Sequence, residues 1–165
     1  MIRPVKDDLT AMDVDAFVFY AREDLALGSG YGNAIQQRAG VAVRNELEAI
    51  GSIGMGEAVV TGAGALKARH IIHACGPKFH EPDLEEKLRR TVRSILKVAA
   101  AKGVKNLATA PLGTGFYGVP MDLSVRVLLE EVRRGDEGDT CVEEVIVCAN
   151  DKRDFDAIEK LFATL

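Results

Sequence analysis

The feature that most constrains this chain is an alternation of short apolar segments with longer amphipathic ones. Short segments rich in Val, Ile and Phe predict buried strands, and longer segments with apolar residues at helical spacing predict helices. Strands are predicted at residues 14–20, 58–61, 70–74, 106–110 and 144–149. Helices are predicted at residues 33–50, 83–102, 120–134 and 153–162, with a polar turn at residues 135–140.

This order of elements predicts one layered α/β domain that spans residues 1–165. Strands that alternate with helices pair in a largely parallel sheet, and the helices cover both of its faces. A chain of 165 residues has the length of one domain and buries enough surface to fold without a disulfide or a metal. In such sheets ligands bind beyond the carboxyl ends of the strands, so the loops there are where a site is expected.

The charge balance argues against nucleic acid as a partner. The net charge is -4 and the pI is about 5.4, which opposes non-specific attraction to phosphate backbones. One basic run falls in the second predicted helix, and such a run is usually the solvated face of a helix. It comprises Lys87, Arg89, Arg90, Arg93 and Lys97.

No segment indicates export or a membrane anchor. The first six residues lack the apolar stretch of a signal peptide, and no run of about 18 apolar residues occurs. Cys75, Cys141 and Cys148 are odd in number and irregularly spaced, which is typical of inert thiols in a reducing compartment. The expected location is therefore the cytoplasm, while the oligomeric state stays open.

Loop 1, residues 21–33, lies between a predicted strand and the helix that follows it. Its core reads Gly28-Ser29-Gly30-Tyr31-Gly32-Asn33. Glycines at alternate positions let the backbone approach a ligand and point amide N–H groups into one concavity, and the helix adds the positive end of its dipole. Loop 1 is therefore a candidate phosphate site. A merely flexible turn is the alternative for this loop taken alone.

Two other phosphate-binding motifs fit loop 1 poorly. In the dinucleotide fingerprint the third glycine would fall on Asn33, and the loop is too long for the tight turn required. The acidic residue expected about twenty positions later would be near Glu48, inside a predicted helix. A Walker loop is excluded because no Gly-Lys-Ser or Gly-Lys-Thr occurs.

Loop 2, residues 111–120, also follows a predicted strand and precedes a helix. It reads Pro111-Leu112-Gly113-Thr114-Gly115-Phe116-Tyr117-Gly118-Val119-Pro120. Its glycines free the backbone, and Thr114 offers a hydroxyl. We expect one of the adjacent aromatics, Phe116 and Tyr117, to cover a ribose or base while the other packs inward; burial of both in the core is the alternative. Two such loops at the same end of one sheet predict a pyrophosphate held between them.

The ordered motifs of the whole chain resemble those of the macrodomain family. The resemblance covers the opening, the helix after loop 1, the middle strands and, most closely, loop 2. The matching segments are Asp8-Leu9-Thr10, Val14-Asp15-Ala16-Phe17-Val18, Ala34-Ile35, Arg38-Ala39-Gly40, Gly56-Glu57-Ala58 with Thr61, Ile71-Ile72-His73, Gly76-Pro77 and the eight residues from Gly113 to Pro120.

The resemblance implies a three-layer α/β/α sandwich with a mixed, largely parallel sheet of about six strands. It also implies ADP-ribose, free or attached to protein, as the ligand. Asp8 matches the acid that accepts a hydrogen bond from the adenine amino group, with Leu9 alongside; a capping role in a turn is the alternative. Ser29, Gly30 and Tyr31 match the pyrophosphate and distal-ribose side, and the segment from Gly113 to Tyr117 matches the loop that closes over the diphosphate.

Two departures from the family pattern bear on the activity. Many hydrolytic macrodomains carry Asn-Ala-Ala-Asn after the strand, where this chain has Phe19-Tyr20-Ala21-Arg22. Many also carry an aspartate in the first loop that helps to activate water, and the matching position here is Gly32. Without these groups the usual water-activating geometry is not expected to form. The adenine is often covered by an aromatic after the last core strand, where this chain has Ala149-Asn150-Asp151.

The leading hypothesis is therefore an ADP-ribose-binding domain without a cofactor. The second is a hydrolase or phosphatase that acts on ADP-ribosylated protein, ADP-ribose-1″-phosphate or O-acetyl-ADP-ribose through an unusual site. In that case Arg22 would bind phosphate, Glu23 or Asp24 would accept a proton and Asn33 would orient a ribose. Recognition of poly(A)-like RNA is the third. No metal site is expected, because the spacing of His70 and His73 puts them on opposite faces of a strand.

Overall fold

A six-stranded sheet with helices on both faces forms the protein in the computed structural model, which describes residues 1–28, 30–136 and 142–165. The strands are β1 (Ile2–Lys6), β2 (Ala16–Tyr20), β3 (Ala58–Gly62), β4 (His70–Ala74), β5 (Asn106–Thr109) and β6 (Glu144–Ala149). The helices are α1 (Tyr31–Ala39), α2 (Val41–Ile50), α3 (Leu84–Ala101), α4 (Met121–Asp136) and α5 (Lys152–Thr164), and a 3₁₀ turn covers Leu9–Ala11.

The strand order is β1-β6-β5-β2-β4-β3. Every neighbouring pair is parallel except β3 with β4, which are antiparallel and are joined by a short turn. The mixed, largely parallel sheet predicted above is therefore confirmed. Because β1, β6, β5 and β2 run in the same direction, their carboxyl ends meet at one edge of the sheet, where the functional loops begin.

Alternation along the strands builds two cores and so three layers. In β2, Ala16 and Val18 face the core that is closed by α3, α4 and α5. Phe17, between them, faces the opposite core, to which α1 and α2 contribute Ile35 and Val43. Successive strand residues point to opposite faces, so a strand with both faces covered is apolar throughout. The three-layer α/β/α architecture is confirmed.

The structure differs from the prediction at three places. The predicted helix at 33–50 is two helices, because Gly40 adopts φ +92° between α1 and α2, a conformation that interrupts helical geometry. Strand β1 was missed. It contains Arg3 and Pro4, and among the described strands it pairs only with β6, at the sheet edge, where proline and charge are tolerated. Gly135, predicted to be in a turn, lies in α4; residues 137–140 of that turn are outside the described residues.

Cys75 and Cys148 are buried and free, and Cys141 lies outside the described residues. No helix of the described part combines the length and the apolarity needed to span a bilayer.

Candidate functional site

A cavity of about 740 Å³ opens at the carboxyl ends of β1, β2, β5 and β6. Loop 1 and loop 2 both line it, so the two glycine-rich segments converge as the sequence predicted. The predicted site residues that line this cavity are Asp8, Leu9, Arg22, Gly28, Gly30, Tyr31, Gly113, Thr114, Gly115, Phe116 and Tyr117.

Two predicted residues of loop 1 are not placed there. Ser29 lies outside the described residues. Gly32, predicted as part of the ligand loop, does not line the cavity and lies in the first turn of α1, buried. A Cβ atom on Gly32 would meet Cζ of Phe19 at 2.9 Å, so this glycine serves close packing of the helix on β2 rather than approach to a ligand.

The backbone of loop 1 leads directly into the helix N-terminus. Gly30 has φ +63° and ψ −130°, which side-chain-bearing residues avoid, and it is the N-cap of α1 without a side-chain cap. Helix α1 begins at Tyr31, two residues earlier than predicted. The first N–H groups of a helix lack intrahelical partners, so this end of α1 offers donors and a positive dipole end at the cavity.

Loop 2 is a tight structure fixed by its own backbone. Val119 N donates to Gly113 O at 2.9 Å, and Gly118 N donates to Gly115 O at 3.1 Å. Gly113 has φ +72°, which favours glycine at this turn. The Thr114 hydroxyl donates to Pro111 O at 3.1 Å, so its free lone pairs can act only as acceptors toward a ligand. These bonds hold loop 2 in shape before any ligand is present.

Tyr20, at the end of β2, packs against loop 2, a contact that the sequence did not reveal. Its ring lies 5.1 Å from that of Tyr117 between centroids, and its hydroxyl donates to Pro77 O. A Cβ atom on Gly76 would clash with the Tyr20 hydroxyl oxygen, so only glycine leaves room for the phenol there. Burial raises the pKa of Tyr20, which keeps the hydroxyl protonated as a donor.

The two adjacent aromatics of loop 2 separate as expected. Tyr117 is half-buried and packs on Tyr20. Phe116 is 94% exposed and stands edge-on to Tyr117, with ring centroids 5.8 Å apart. An exposed aromatic at the rim of a cavity is available to cover a bound sugar or base. Burial of both in the core, the alternative considered above, is not what the structure has.

Asp8 follows the edge strand β1, which β6 and β5 separate from β2, and Tyr117 packs on Tyr20 at the end of β2. Asp8 and Tyr117 therefore lie at opposite ends of the cavity, and neighbouring side chains hold the Asp8 carboxylate. Oδ1 accepts from the amide and the hydroxyl of Thr10 at 3.0 and 2.8 Å, and Oδ2 accepts from Arg38 Nη1 at 3.0 Å. Burial alone would raise the pKa of Asp8, but these hydrogen bonds outweigh it and hold the pKa below its usual value. Asp8 therefore caps the 3₁₀ turn and remains an ionised acceptor beside the cavity.

Comparison with known sequences decides the family. The family model described as Macro domain matches residues 20–128, which include both loops. This chain belongs to the macrodomain family. A macro domain-containing protein of Listeria monocytogenes is 37% identical over 97% of this chain and 96% of its own length. A second, from Caldanaerobacter subterraneus, is 34% identical over 99% of this chain and 97% of its own length.

Solved macrodomains share the fold. The macrodomain of Trypanosoma brucei in complex with ADP-ribose superposes with a TM-score of 0.90 at 26% identity, covering 98% of this chain and 68% of that one. A variant macrodomain of Oceanobacillus iheyensis with ADPR gives a TM-score of 0.87 at 24% identity over 99% of this chain and 92% of that one. At that identity the second likeness shows the fold alone.

In this macrodomain the two departures from the hydrolytic pattern lie next to each other and are linked by packing. By the resemblance described for the sequence, Phe19 corresponds to the first asparagine of the Asn-Ala-Ala-Asn pattern and Gly32 to the aspartate. Because Cζ of Phe19 lies 2.9 Å from the place that a Cβ atom on Gly32 would take, an aspartate there would require the ring to move. The two departures therefore form one packing arrangement rather than two independent losses.

Arg22, at the position of the second asparagine, lines the Tyr117 end of the macrodomain cavity. Its Nη2 pairs with Asp24 Oδ2 at 2.9 Å, and both side chains are mostly exposed. Arg22 follows Tyr20, whose ring packs on Tyr117, by two residues. Burial raises the pKa of Tyr117, and the charge of Arg22 opposes that rise. Among the described residues no three His, Cys, Asp or Glu side chains are grouped to hold a metal ion.

Proposed function

We propose that this macrodomain binds ADP-ribose, free or attached to protein, across loops 1 and 2. The observation that carries the proposal is the convergence of both glycine-rich loops on one cavity that also has an ionised acceptor, Asp8, at one end. Each loop contributes backbone that a diphosphate can approach closely. The complex of the Trypanosoma brucei macrodomain with ADP-ribose supports the same ligand class.

The two ends of the cavity suit the two ends of ADP-ribose. A carboxylate accepts a hydrogen bond from the amino group of adenine, which favours the base at the Asp8 end. The N-terminus of α1, at Gly30, favours negative charge by about 0.3–1 kcal/mol at an exposed site, and more where water is excluded. The distal ribose is then left between Arg22 and the aromatic rim of loop 2, which Phe116 and Tyr117 form.

Hydrolysis or dephosphorylation of an ADP-ribose derivative is the weaker proposal. Arg22 lines the cavity, whereas Glu23, Asp24 and Asn33 do not. Asp24 Oδ1 accepts from Ala26 N at 3.0 Å, and this backbone bond and the pairing with Arg22 lower the pKa of its carboxyl. A carboxylate with a lowered pKa is a poorer general base near neutral pH. The geometry therefore favours binding without turnover.

RNA binding is disfavoured because basic residues of the run on α3 form ion pairs with carboxylates of the protein. Arg89 pairs with Glu85, Glu130 and Glu131, and Arg93 pairs with Glu131 at 2.9 Å. The pairs with Glu130 and Glu131 join α3 to α4, and the pair with Glu85 lies within α3. All of them neutralise charge that would otherwise be available to phosphates. Lys87 Nζ also lies 3.5 Å from Glu81 Oε2, so three of the five basic residues of the run are paired with carboxylates within the protein.

Titration calorimetry tests the binding proposal. We expect ADP-ribose to bind and AMP to bind at least about tenfold more weakly, because AMP lacks the second phosphate and the distal ribose that loop 2 would contact. NAD is the third ligand, since it carries an added group on the distal ribose. Equal affinities for AMP and ADP-ribose would contradict a site that spans both loops, and no binding of ADP-ribose would end the proposal.

Incubation of an ADP-ribosylated protein with the purified domain tests turnover. We expect the modification to remain on the protein, because no described group at the Tyr117 end is placed as a general base. The measurement is release of ADP-ribose over time. If the wild-type domain releases ADP-ribose and an Arg22→Ala or Asp24→Ala variant does not, the assignment of a binding domain is overturned and the unusual hydrolytic route is favoured.

A further inference from the structure

Helix α1 presents one face to the Asp8 end of the cavity. Tyr31, Ala34 and Arg38 all line the cavity, at positions i, i+3 and i+7, which share a face of an α-helix. Ala34 is the short residue between two long ones, so it leaves open space over the helix between a phenol ring and a guanidinium. Of these three, only Tyr31 was expected to contact the ligand, on the pyrophosphate and distal-ribose side.

The surroundings of Tyr31 place its phenol at the opposite end from loop 2. The side chain is half-buried and packs against the core under α1 and α2. Burial raises the pKa of the phenol, and neighbouring acidic groups raise it further. These groups are the Cys148 thiol and the carboxyl groups of Asp8, Asp154 and Asp151. They come from the turn after β1, from β6 and from the start of α5, all at the Asp8 end of the cavity.

Tyr31 is the aromatic residue that this end of the cavity offers. The other aromatic side chains among the described lining residues belong to β2 and to loop 2. The residues directly after β6, Asn150 and Asp151, line the cavity but carry no ring. A purine base needs an apolar flat surface as well as a polar edge contact, since stacking on an aromatic ring supplies much of the affinity for a base.

Arg38 fixes the acceptor geometry of Asp8. Its Nη1 donates to Asp8 Oδ2 at 3.0 Å and to Thr10 Oγ1 at 3.1 Å. Each carboxylate oxygen has two lone-pair positions. Both positions on Oδ1 are taken by Thr10, and Arg38 takes one on Oδ2, so one position on Oδ2 is left for a ligand donor. The carboxylate is therefore oriented to accept a single N–H from outside.

We propose that Tyr31 is the platform on which the adenine ring packs and that Arg38 is the positioning residue that aims Asp8 at the amino group of that ring. This inference rests on the proposed binding of ADP-ribose and adds two residues of α1 to it. The base then lies over Ala34, between the phenol and the Asp8–Arg38 pair. The distal ribose and the rim of loop 2 take no part in this contact.

Calorimetry with two ligands and three variants tests the inference. The ligands are ADP-ribose and inosine diphosphate ribose, in which a keto oxygen replaces the amino group. The variants are Tyr31→Ala, Tyr31→Phe and Arg38→Gln, each checked for folding by thermal melting. Arg38 is 54% exposed, so its replacement leaves the core intact even if the Tyr31 variants are less stable.

We expect Tyr31→Ala to weaken binding of both ligands about tenfold or more, because stacking depends little on which base is bound. Tyr31→Phe should restore most of that loss, since the ring is kept. Arg38→Gln should instead reduce the preference for ADP-ribose over inosine diphosphate ribose by about tenfold, because the acceptor is no longer aimed at the amino group. A residue with a merely structural role would not change this ratio.

Three outcomes overturn the inference. If the wild-type protein binds ADP-ribose and Tyr31→Ala binds it equally well, Tyr31 is not the platform, and the proposed function stands. If Arg38→Gln keeps the wild-type ratio of the two ligands, Arg38 does not position Asp8. If the wild-type protein binds neither ligand, the proposed function itself fails and this inference fails with it.

Discussion

Replacing Gly115 with valine is expected to reduce the affinity for ADP-ribose at least about 100-fold, a loss of roughly 2.7 kcal/mol, while the protein still folds. Gly115 is exposed at the cavity, its φ is not in the left-handed region, and a Cβ atom there meets nothing within 4 Å. The free protein therefore accommodates the side chain. The isopropyl group would instead occupy space that the diphosphate needs to reach the backbone of loop 2.

Gly62→Val is a matched control for this substitution. Gly62 lies at the end of the edge strand β3, outside the cavity, and a Cβ there would meet only Glu46 Oε2, at 3.4 Å. Calorimetry should show wild-type affinity for Gly62→Val and lost affinity for Gly115→Val, with similar melting temperatures. Wild-type affinity in Gly115→Val would mean that loop 2 does not approach the ligand. Gly30 is less suited to this test, since its φ of +63° would make any replacement strain the fold as well.

The layered fold could be predicted because its signal is local and repeated. Strands covered on both faces, such as β2, must be apolar throughout. Helices that pack on the sheet with one face repeat apolar residues at helical spacing, so both patterns are visible in short stretches of sequence. Strand β1 has neither property, since it lies at the edge of the described sheet beside β6 and carries Arg3 and Pro4. The break at Gly40 was hidden because apolar spacing continues from α1 into α2.

The site was predicted as far as it depends on backbone, and not where it depends on contacts between distant segments. Loop 1 and loop 2 were found because the glycine pattern of each lies within a few consecutive residues. The pairing of Arg38 with Asp8 spans 30 residues, and the hydrogen bond from Tyr20 to Pro77 spans 57 residues. Nothing in a single sequence brings such partners together. Gly32 was misplaced for a related reason, since the contact that requires a glycine comes from Phe19 on β2.

His73 in β4 gives the second large expected effect, a loss of folding stability in mild acid. The side chain is 1% exposed, with Nε2 2.9 Å from Thr61 Oγ1. Because the Thr61 hydroxyl donates to Gly62 O, it accepts from His73, which puts the proton of the neutral ring on Nε2. Nδ1 is buried without a hydrogen-bond partner. A second proton there would create a buried charge with no acceptor.

Burial lowers the pKa of His73 from its usual 6.5 to about 4. The folded state therefore binds fewer protons than the unfolded state between these two values, and stability falls as the pH falls through this window. The contribution of His73 is complete above about pH 6.5 and is reduced by about 2 kcal/mol at pH 5. Urea unfolding at pH 7.5 and pH 5 measures this loss.

A His73→Gln variant isolates the histidine from the other groups that titrate in acid. Its amide can still bond to Thr61, but it does not ionise, so its free energy of unfolding should fall about 2 kcal/mol less than that of the wild type between pH 7.5 and 5. Ile72→Val, a neighbouring core change that costs about 1 kcal/mol, should be less stable at both pH values and keep the wild-type difference. If His73→Gln shows the same fall as the wild type, the ring is not held neutral by its burial, and acid unfolding must start at another group.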